Sequence, residues 1–94
     1  MKLKSMIAAS ALALTGTGAI AADDVTIQLK WVTQAQFAGY YVALENGYYS
    51  DEDLNVTVLP GGPDIAPTQV IAGGGADVVV EWMPAALAAR EKGL

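Results

Sequence analysis

Apolar residues recur along this chain with two different periods. Residues 25–31 alternate apolar and polar side chains, residues 54–59 form a β-branched run, and residues 76–80 are apolar except for Asp77. These runs predict three β-strands, and the near-continuous apolarity of the third predicts a central strand buried on both faces. Each run leads through a short polar or aromatic turn into a segment of helical periodicity. The pattern therefore predicts an α/β fold, ordered βαβαβα, with a parallel sheet and right-handed crossovers.

The first predicted helix follows the first strand. Aromatic and aliphatic side chains recur at helical spacing over residues 37–44, and Asn46-Gly47 is a typical helix stop. Residues 48–53 then form a predicted polar connector to the second strand.

The second and third predicted helices also have start and stop signals. Asp64 can cap the second helix, which tolerates Pro67 in its first turn, and three glycines at 73–75 end it. Pro84 opens the third helix, which ends at Gly93.

The start of the chain has the three parts of a secretory signal peptide. Two lysines lie among the first four residues, residues 6–14 are apolar, and residues 19–21 (Ala-Ile-Ala) form a small-x-small cleavage signal. The apolar part is shorter than the ~20 residues of a membrane-spanning helix, which disfavours a membrane anchor. We therefore expect a signal peptide over 1–21, cleavage near Ala21, and a periplasmic mature chain of residues 22–94.

Charge limits the partners of the mature chain. The formal net charge is −5, and all ten acidic residues lie after the predicted cleavage point. This balance disfavours nucleic acid and anionic membrane as partners. The acidic runs at 23–24 and 51–53 are typical of solvated segments rather than of a site.

Two residue types are missing from the sequence, histidine and cysteine. A histidine base, a histidine metal ligand, a Ser–His pair, a disulfide and a lipid-modified cysteine are therefore excluded within this chain. We predict no enzyme activity, no metal and no cofactor. A mature chain of ~70 residues buries only a marginal core, so we interpret it as the N-terminal part of a longer protein.

Candidate ligand-binding residues fall in the turns that follow the strands, where parallel sheets collect their ligands. After the first strand, Trp31 and Phe37 offer ring faces, while Gln34 and Gln36 offer amide donors and acceptors. Together they suit a planar, neutral, nitrogen-rich ring. The alternative is that Trp31 and Phe37 are core residues.

The turns after the second and third strands offer further groups. Gly61 and Gly62 allow a ligand to approach the backbone closely, and Asp64 is either a ligand contact or the helix cap. Glu81 is costly to bury without a partner or ligand, and Trp82 offers a flat face for stacking. The alternatives are a rigid glycine turn, a Glu81 that reaches solvent and a Trp82 within the core.

Several runs in the chain match the pattern of a known family. They are LKW at 29–31, FAGYYVA at 37–43, ENGYY at 45–49, PGGPDI at 60–65, and GADV at 75–78 through AAREKG at 88–93. On these runs the chain resembles the start of a periplasmic substrate-binding protein of an ABC importer. It is most similar to the thiamine-pyrimidine-synthase-like group, which includes binding proteins for aliphatic sulfonates, pyrimidines and riboflavin.

The resemblance implies a type II binding protein whose two α/β lobes close on a ligand in the cleft between them. Residues 22–94 would supply the N-terminal part of the first lobe. The implied partners are a small-molecule ligand and a membrane permease with its ATPase, and the full-length protein is expected to be a monomer.

The namesake of the group is an enzyme, and it supplies the alternative function. That synthase makes the thiamine pyrimidine from pyridoxal phosphate and one of its own histidines. Its motif has a Schiff-base lysine at the end of the third strand and a histidine four residues later. Glu81 and Ala85 stand at those positions here. Neither can do that chemistry, because a carboxylate forms no imine and alanine has no imidazole.

The expected ligand is a small planar heterocycle, with a thiamine pyrimidine precursor first and riboflavin- or sulfonate-type ligands as alternatives. Trp31 and Trp82 would stack on it, and Gln34 and Glu81 would hydrogen-bond to it. Glu81 could form two parallel bonds with an amino-pyrimidine edge, and the glycine turn would line the pocket. A third possibility is an exported domain that binds a protein through its open sheet edges.

Overall fold

Three parallel strands form the centre of the structure, a computed structural model that describes residues 21–94. They are β1 (Asp23–Gln28), β2 (Leu54–Leu59) and β3 (Val78–Val79), and their order in the sheet is β2-β1-β3. The predicted α/β class and parallel sheet are confirmed. Residues 1–20 of the predicted signal peptide lie outside the described residues.

The strand register brings all three carboxyl ends to one edge of the sheet. β1 pairs with β2 from Asp23 opposite Leu54 to Gln28 opposite Leu59. β3 pairs with the last two residues of β1, and the Val80 N–H continues that ladder by donating to the Gln28 carbonyl at 2.9 Å. The turns that follow the strands therefore start side by side.

The position of β3 differs from the prediction. Among the described residues β1 is the central strand, whereas β3 lies at an edge, and the Val78 side chain is 48% exposed. The predicted central strand over 76–80 is wrong in this part of the chain. Apolarity indicates that a strand belongs to a parallel sheet, but it does not fix the order of the strands.

Asp77, the acidic residue of the third run, has a structural role. Its carboxylate accepts a hydrogen bond from the Thr26 N–H at 2.8 Å, and its own N–H donates to the Thr26 carbonyl at 2.9 Å. These two bonds fasten the start of β3 to β1.

Helices follow each of the three strands, and α4 comes after the last described strand. They are α1 (Ala38–Glu45), preceded by a 3₁₀ turn (Ala35–Phe37), then α2 (Tyr48–Asp51), α3 (Pro67–Ala72) and α4 (Met83–Glu91). In the part of the chain that the structure describes, no helix has the length and apolarity to cross a membrane.

The segment predicted as a polar connector contains the short helix α2, so that prediction is wrong. Gly47 adopts a positive φ of 75°, which ends α1 and redirects the chain. Its carbonyl then accepts from the Ser50 hydroxyl at 2.8 Å and from the Asp51 N–H at 2.9 Å. Local hydrogen bonds from polar residues thus close one helical turn.

The predicted cap at Asp64 is also wrong. α3 begins at Pro67, its N-cap is Ala66, and no side chain caps it. The Asp64 side chain is exposed, within a turn in which the Ile65 N–H donates to the Gly62 carbonyl at 3.2 Å. Pro67 sets the helix start, because its φ suits the first turn and it has no N–H to satisfy.

The core lies between the 3₁₀ turn and the neighbouring strands β1 and β2, with side chains of α1 packed against it. Ile27, Leu29, Phe37 and Val56 are buried together, and Leu29 is fully inaccessible. Phe37 is therefore a core residue, which was one of the two sequence interpretations. Trp31 is half-buried and packs against the same cluster.

Candidate functional site

The carboxyl ends of the three strands bring together half of the candidate residues selected from the sequence, with Lys30, which was not selected. We define the strand-end site as Lys30, Trp31, Gly61, Glu81 and Trp82. Lys30 and Trp31 follow β1, Gly61 follows β2, and Glu81 and Trp82 follow β3. Neighbouring strand ends make these residues adjacent in space although they are far apart in sequence.

An ion pair joins the ends of β1 and β3. The Lys30 Nζ lies 2.6 Å from the Glu81 Oε1, and the exposed fractions of the two side chains are 16% and 7%. The same Oε1 accepts a hydrogen bond from the Trp82 N–H at 2.9 Å. Glu81 is thus neither solvated nor unpartnered, because Lys30 and the backbone satisfy one of its oxygens.

The two indole rings pack against each other at the same edge. Their centroids are 6.3 Å apart and their planes are tilted by 38°. A ligand ring between two aromatic rings needs a separation of about 7 Å, since each stacked contact takes about 3.5 Å. Trp31 and Trp82 therefore form a corner with no room for a ring between them.

The two rings differ in their access to solvent. Trp31 is half-buried against the core, whereas Trp82 is 55% exposed. The Lys30 Nζ also lies 4.9 Å from the centre of the Trp82 ring, within cation–π range. Trp82 is consequently the ring that a ligand can reach, and Trp31 supports it from the side.

The two glycines of the turn after β2 differ: one fits the interpretation as a rigid turn, and the other fits the interpretation as a ligand-binding turn. A β-carbon on Gly61 would lie 2.5 Å from the Leu29 carbonyl oxygen and 2.6 Å from the Trp31 nitrogen. Gly61 is therefore required for close contact with the end of β1. A β-carbon on Gly62 would meet nothing within 4 Å, so Gly62 is the glycine whose surroundings leave space for a ligand.

Gln28 supports the site and was missed by sequence reasoning. Its side chain is buried, and its Nε2 is within hydrogen-bond distance of the carbonyls of Leu29 (2.9 Å), Pro60 (3.1 Å) and Leu59 (3.4 Å). The amide therefore ties the end of β1 to the end of β2. The only sequence signal was an amide close to the end of a strand.

The remaining predicted contacts lie at the surface. Gln36 donates from Nε2 to the Gln34 Oε1 at 2.6 Å, and both side chains are exposed. This bond joins the two amides to each other rather than to the Lys30–Glu81 pair. Asp64 is exposed in the turn before α3.

A cavity of about 700 Å³ opens beside the strand-end site, between α3, β3 and α4. Its lining is mostly apolar and includes Ile71, Val79, Ala86 and Ala89. Glu81 also lines it, so the residue that pairs with Lys30 borders this cavity as well. Residues 21–94 contain no group of three or more acidic residues that could hold a metal ion.

The fold and the site define an α/β chain that presents aromatic and charged groups at the carboxyl edge of a parallel sheet. The family described as NMT1/THI5 like matches residues 34–94. The chain therefore belongs to the NMT1/THI5-like family, and the resemblance seen in the sequence is confirmed.

A curated relative is similar over most of the chain. It is the formylaminopyrimidine-binding protein of Halalkalibacterium halodurans, which is 32% identical over 74 residues. The aligned part is 79% of this chain and 22% of the relative, so the chain spans about a fifth of that protein. The relative's name describes binding rather than catalysis. No solved structure matches the chain significantly.

Proposed function

We propose that this chain is part of an exported solute-binding protein that delivers a small planar heterocycle to an ABC importer. The first candidate is a pyrimidine precursor of thiamine. The observation that carries the proposal is the strand-end site, in which an exposed indole lies beside a nearly buried carboxylate at the carboxyl edge of a parallel sheet. The name of the formylaminopyrimidine-binding relative supports the pyrimidine assignment.

In the proposed complex, Trp82 and Glu81 make the main contacts from this chain. The exposed face of Trp82 stacks on the heterocycle, and Trp31 holds that indole in place. Glu81 accepts from an amino group through Oε2, because Lys30 and the Trp82 N–H already engage Oε1. A single bond from Glu81 thus replaces the two parallel bonds expected from the sequence.

Polar groups at the rim add to these contacts. Gln34 and Gln36 present a linked pair of amides that can donate to ring nitrogens or accept from amino groups. Gly62 leaves room for the ligand beside the backbone. Asp64 stays a candidate contact from the same turn.

The proposal also covers the organisation of the full-length protein. Residues 1–21 are the signal peptide, the mature protein acts in the periplasm, and residues 22–94 begin the first of two lobes. Closure of the lobes over the ligand would present the protein to a permease and its ATPase. The expected full-length protein is a monomer.

The alternatives are less consistent with the site. A sulfonate requires a cation for its negative charge, but Lys30 is already paired with Glu81. Synthase chemistry requires a lysine and a histidine where Glu81 and Ala85 stand. A flavin is planar and neutral in its ring system, so it stays the second candidate ligand.

Ligand retained by the purified full-length protein tests the proposal. Mass spectrometry under native conditions should detect a pyrimidine, and calorimetry with formylaminopyrimidine should show saturable binding. A retained flavin or sulfonate would keep the solute-binding function and replace the ligand. A protein that binds none of the three compounds would contradict the proposed function.

A further inference from the structure

One ammonium group contacts both of the proposed ligand-binding side chains. The Lys30 Nζ lies 2.6 Å from the Glu81 Oε1 and 4.9 Å from the centre of the Trp82 ring. Lys30 belongs to the end of β1, whereas its two partners follow β3. The positive charge of Lys30 therefore balances the Glu81 carboxylate and lies next to the Trp82 ring, although both groups follow another strand.

A carboxylate beside an indole face is a favourable environment for a cation. The π-face attracts positive charge, and the carboxylate adds an ion pair. Without Lys30, Glu81 and Trp82 would together form such a cation site. Lys30 fills it with a charge that belongs to the protein itself.

Burial makes this compensation strong. Only 16% of the Lys30 side chain and 7% of the Glu81 side chain are exposed, so water screens the pair weakly. A second cation at the site would face the Lys30 ammonium at short range. An anion would instead face Glu81, whose charge Lys30 already balances.

We infer that Lys30 determines ligand specificity, because it converts a cation site into one that selects neutral planar heterocycles. The inference rests on the proposed function and narrows its ligand class. Lys30 acts through Glu81 and Trp82, and is therefore a positioning residue with an electrostatic effect.

The test compares two compounds of nearly the same shape on the full-length protein. One is 4-aminopyrimidine, neutral at slightly alkaline pH, and the other is its N-methylated pyrimidinium cation. Their affinities are measured by calorimetry for the wild type, Lys30→Met and Lys30→Arg. For each variant we take the ratio of the two affinities, neutral compound over cation, and compare this ratio between variants. The effect of the methyl group on hydrogen bonding is the same in every variant and therefore cancels.

The wild type should prefer the neutral compound, and Lys30→Met should lower that preference on the order of tenfold or more. Lys30→Arg retains the positive charge and should retain the preference. If only the apolar stem of Lys30 mattered, Lys30→Met and Lys30→Arg would not differ in this way. If Lys30→Met does not fold, Lys30→Gln removes the positive charge, keeps an amide donor for Glu81 and should also lower the preference.

Three outcomes overturn the inference, and they can be told apart. An unchanged ratio in Lys30→Met, or in Lys30→Gln where the first variant does not fold, contradicts the role of Lys30 and leaves the proposed function standing. The same holds if the wild type binds the neutral and cationic compounds equally well. A wild-type protein that binds neither compound, and binds no formylaminopyrimidine, flavin or sulfonate, contradicts both proposals.

Discussion

Lys30 and Glu81 are separated by 51 positions in sequence, yet the Nζ of one lies 2.6 Å from the Oε1 of the other. The contact exists because β1 and β3 are parallel neighbours whose carboxyl ends lie together. It places a nearly buried charge pair beside the exposed indole of Trp82.

Replacement of Glu81 by Gln should weaken ligand binding on the order of tenfold, because a neutral amide accepts a weaker hydrogen bond than a carboxylate. The free energy of unfolding should also fall, because the variant leaves the nearly buried Lys30 ammonium without its counter-charge. Calorimetry and thermal unfolding of the full-length protein measure the two effects. Glu91→Gln, an exposed change at the end of α4, is the control. Equal affinity in both variants would remove Glu81 from the site.

Truncation of the two indoles should separate binding from stability. Trp82→Ala should reduce affinity by a factor of about ten or more with a small change in unfolding free energy, because that ring is mostly exposed. Trp31→Ala should also destabilise the protein, by about 2–3 kcal/mol, since its ring packs on the core. Urea titrations and calorimetry on both variants measure this difference. Similar losses of stability in the two variants would contradict the assigned roles.

Gly61→Ala should strongly destabilise the protein, by more than about 2 kcal/mol, because the new methyl group would overlap the backbone at the end of β1. Gly62→Ala is the matched control, as its β-carbon meets open space and should change stability by less than about 1 kcal/mol. The measurement is the urea midpoint of each variant. If the two glycines tolerated alanine equally, the close approach of this turn to β1 would be in doubt.

Gln28→Met should destabilise the protein by about 1–3 kcal/mol, because it leaves carbonyls at the ends of β1 and β2 without their side-chain donor. Gln69→Met, on the exposed surface of α3, is the control and should be nearly neutral. Chemical denaturation compares the two. A neutral effect at Gln28 would show that water or the backbone satisfies those carbonyls equally well.

Asp64→Ala should leave the unfolding free energy within about 0.5 kcal/mol of the wild type, because Ala66 rather than Asp64 precedes α3. Loss of a true N-cap would cost about 1 kcal/mol. Thermal unfolding separates these values, and a loss of the larger size would restore the cap interpretation.

The sequence was sufficient to predict that the carboxyl ends of the strands lie together. Alternating and β-branched runs indicated parallel strands, and parallel strands carry their following turns at one edge. The prediction that Trp31, Glu81 and the glycine turn share an edge is therefore met by the structure. The helix stop at Gly47 was also readable, because its positive φ of 75° favours glycine.

The details within the site were not readable from the sequence. Lys30 looked like one polar position of an alternating strand, and its contact with Glu81 depends on the order of β1 and β3 in the sheet. The tilt between Trp31 and Trp82 depends on packing that no spacing encodes. Asp64 resembled a cap because Asp is favoured there, but Pro67 set the helix start instead.

The structure of the full-length protein with formylaminopyrimidine bound tests the central claim most directly. In that structure the pyrimidine ring should stack on the exposed face of Trp82, and an amino group should donate to the Glu81 Oε2. A ligand bound elsewhere, for example in the cavity between α3 and α4 without contact to Trp82, would contradict the central claim.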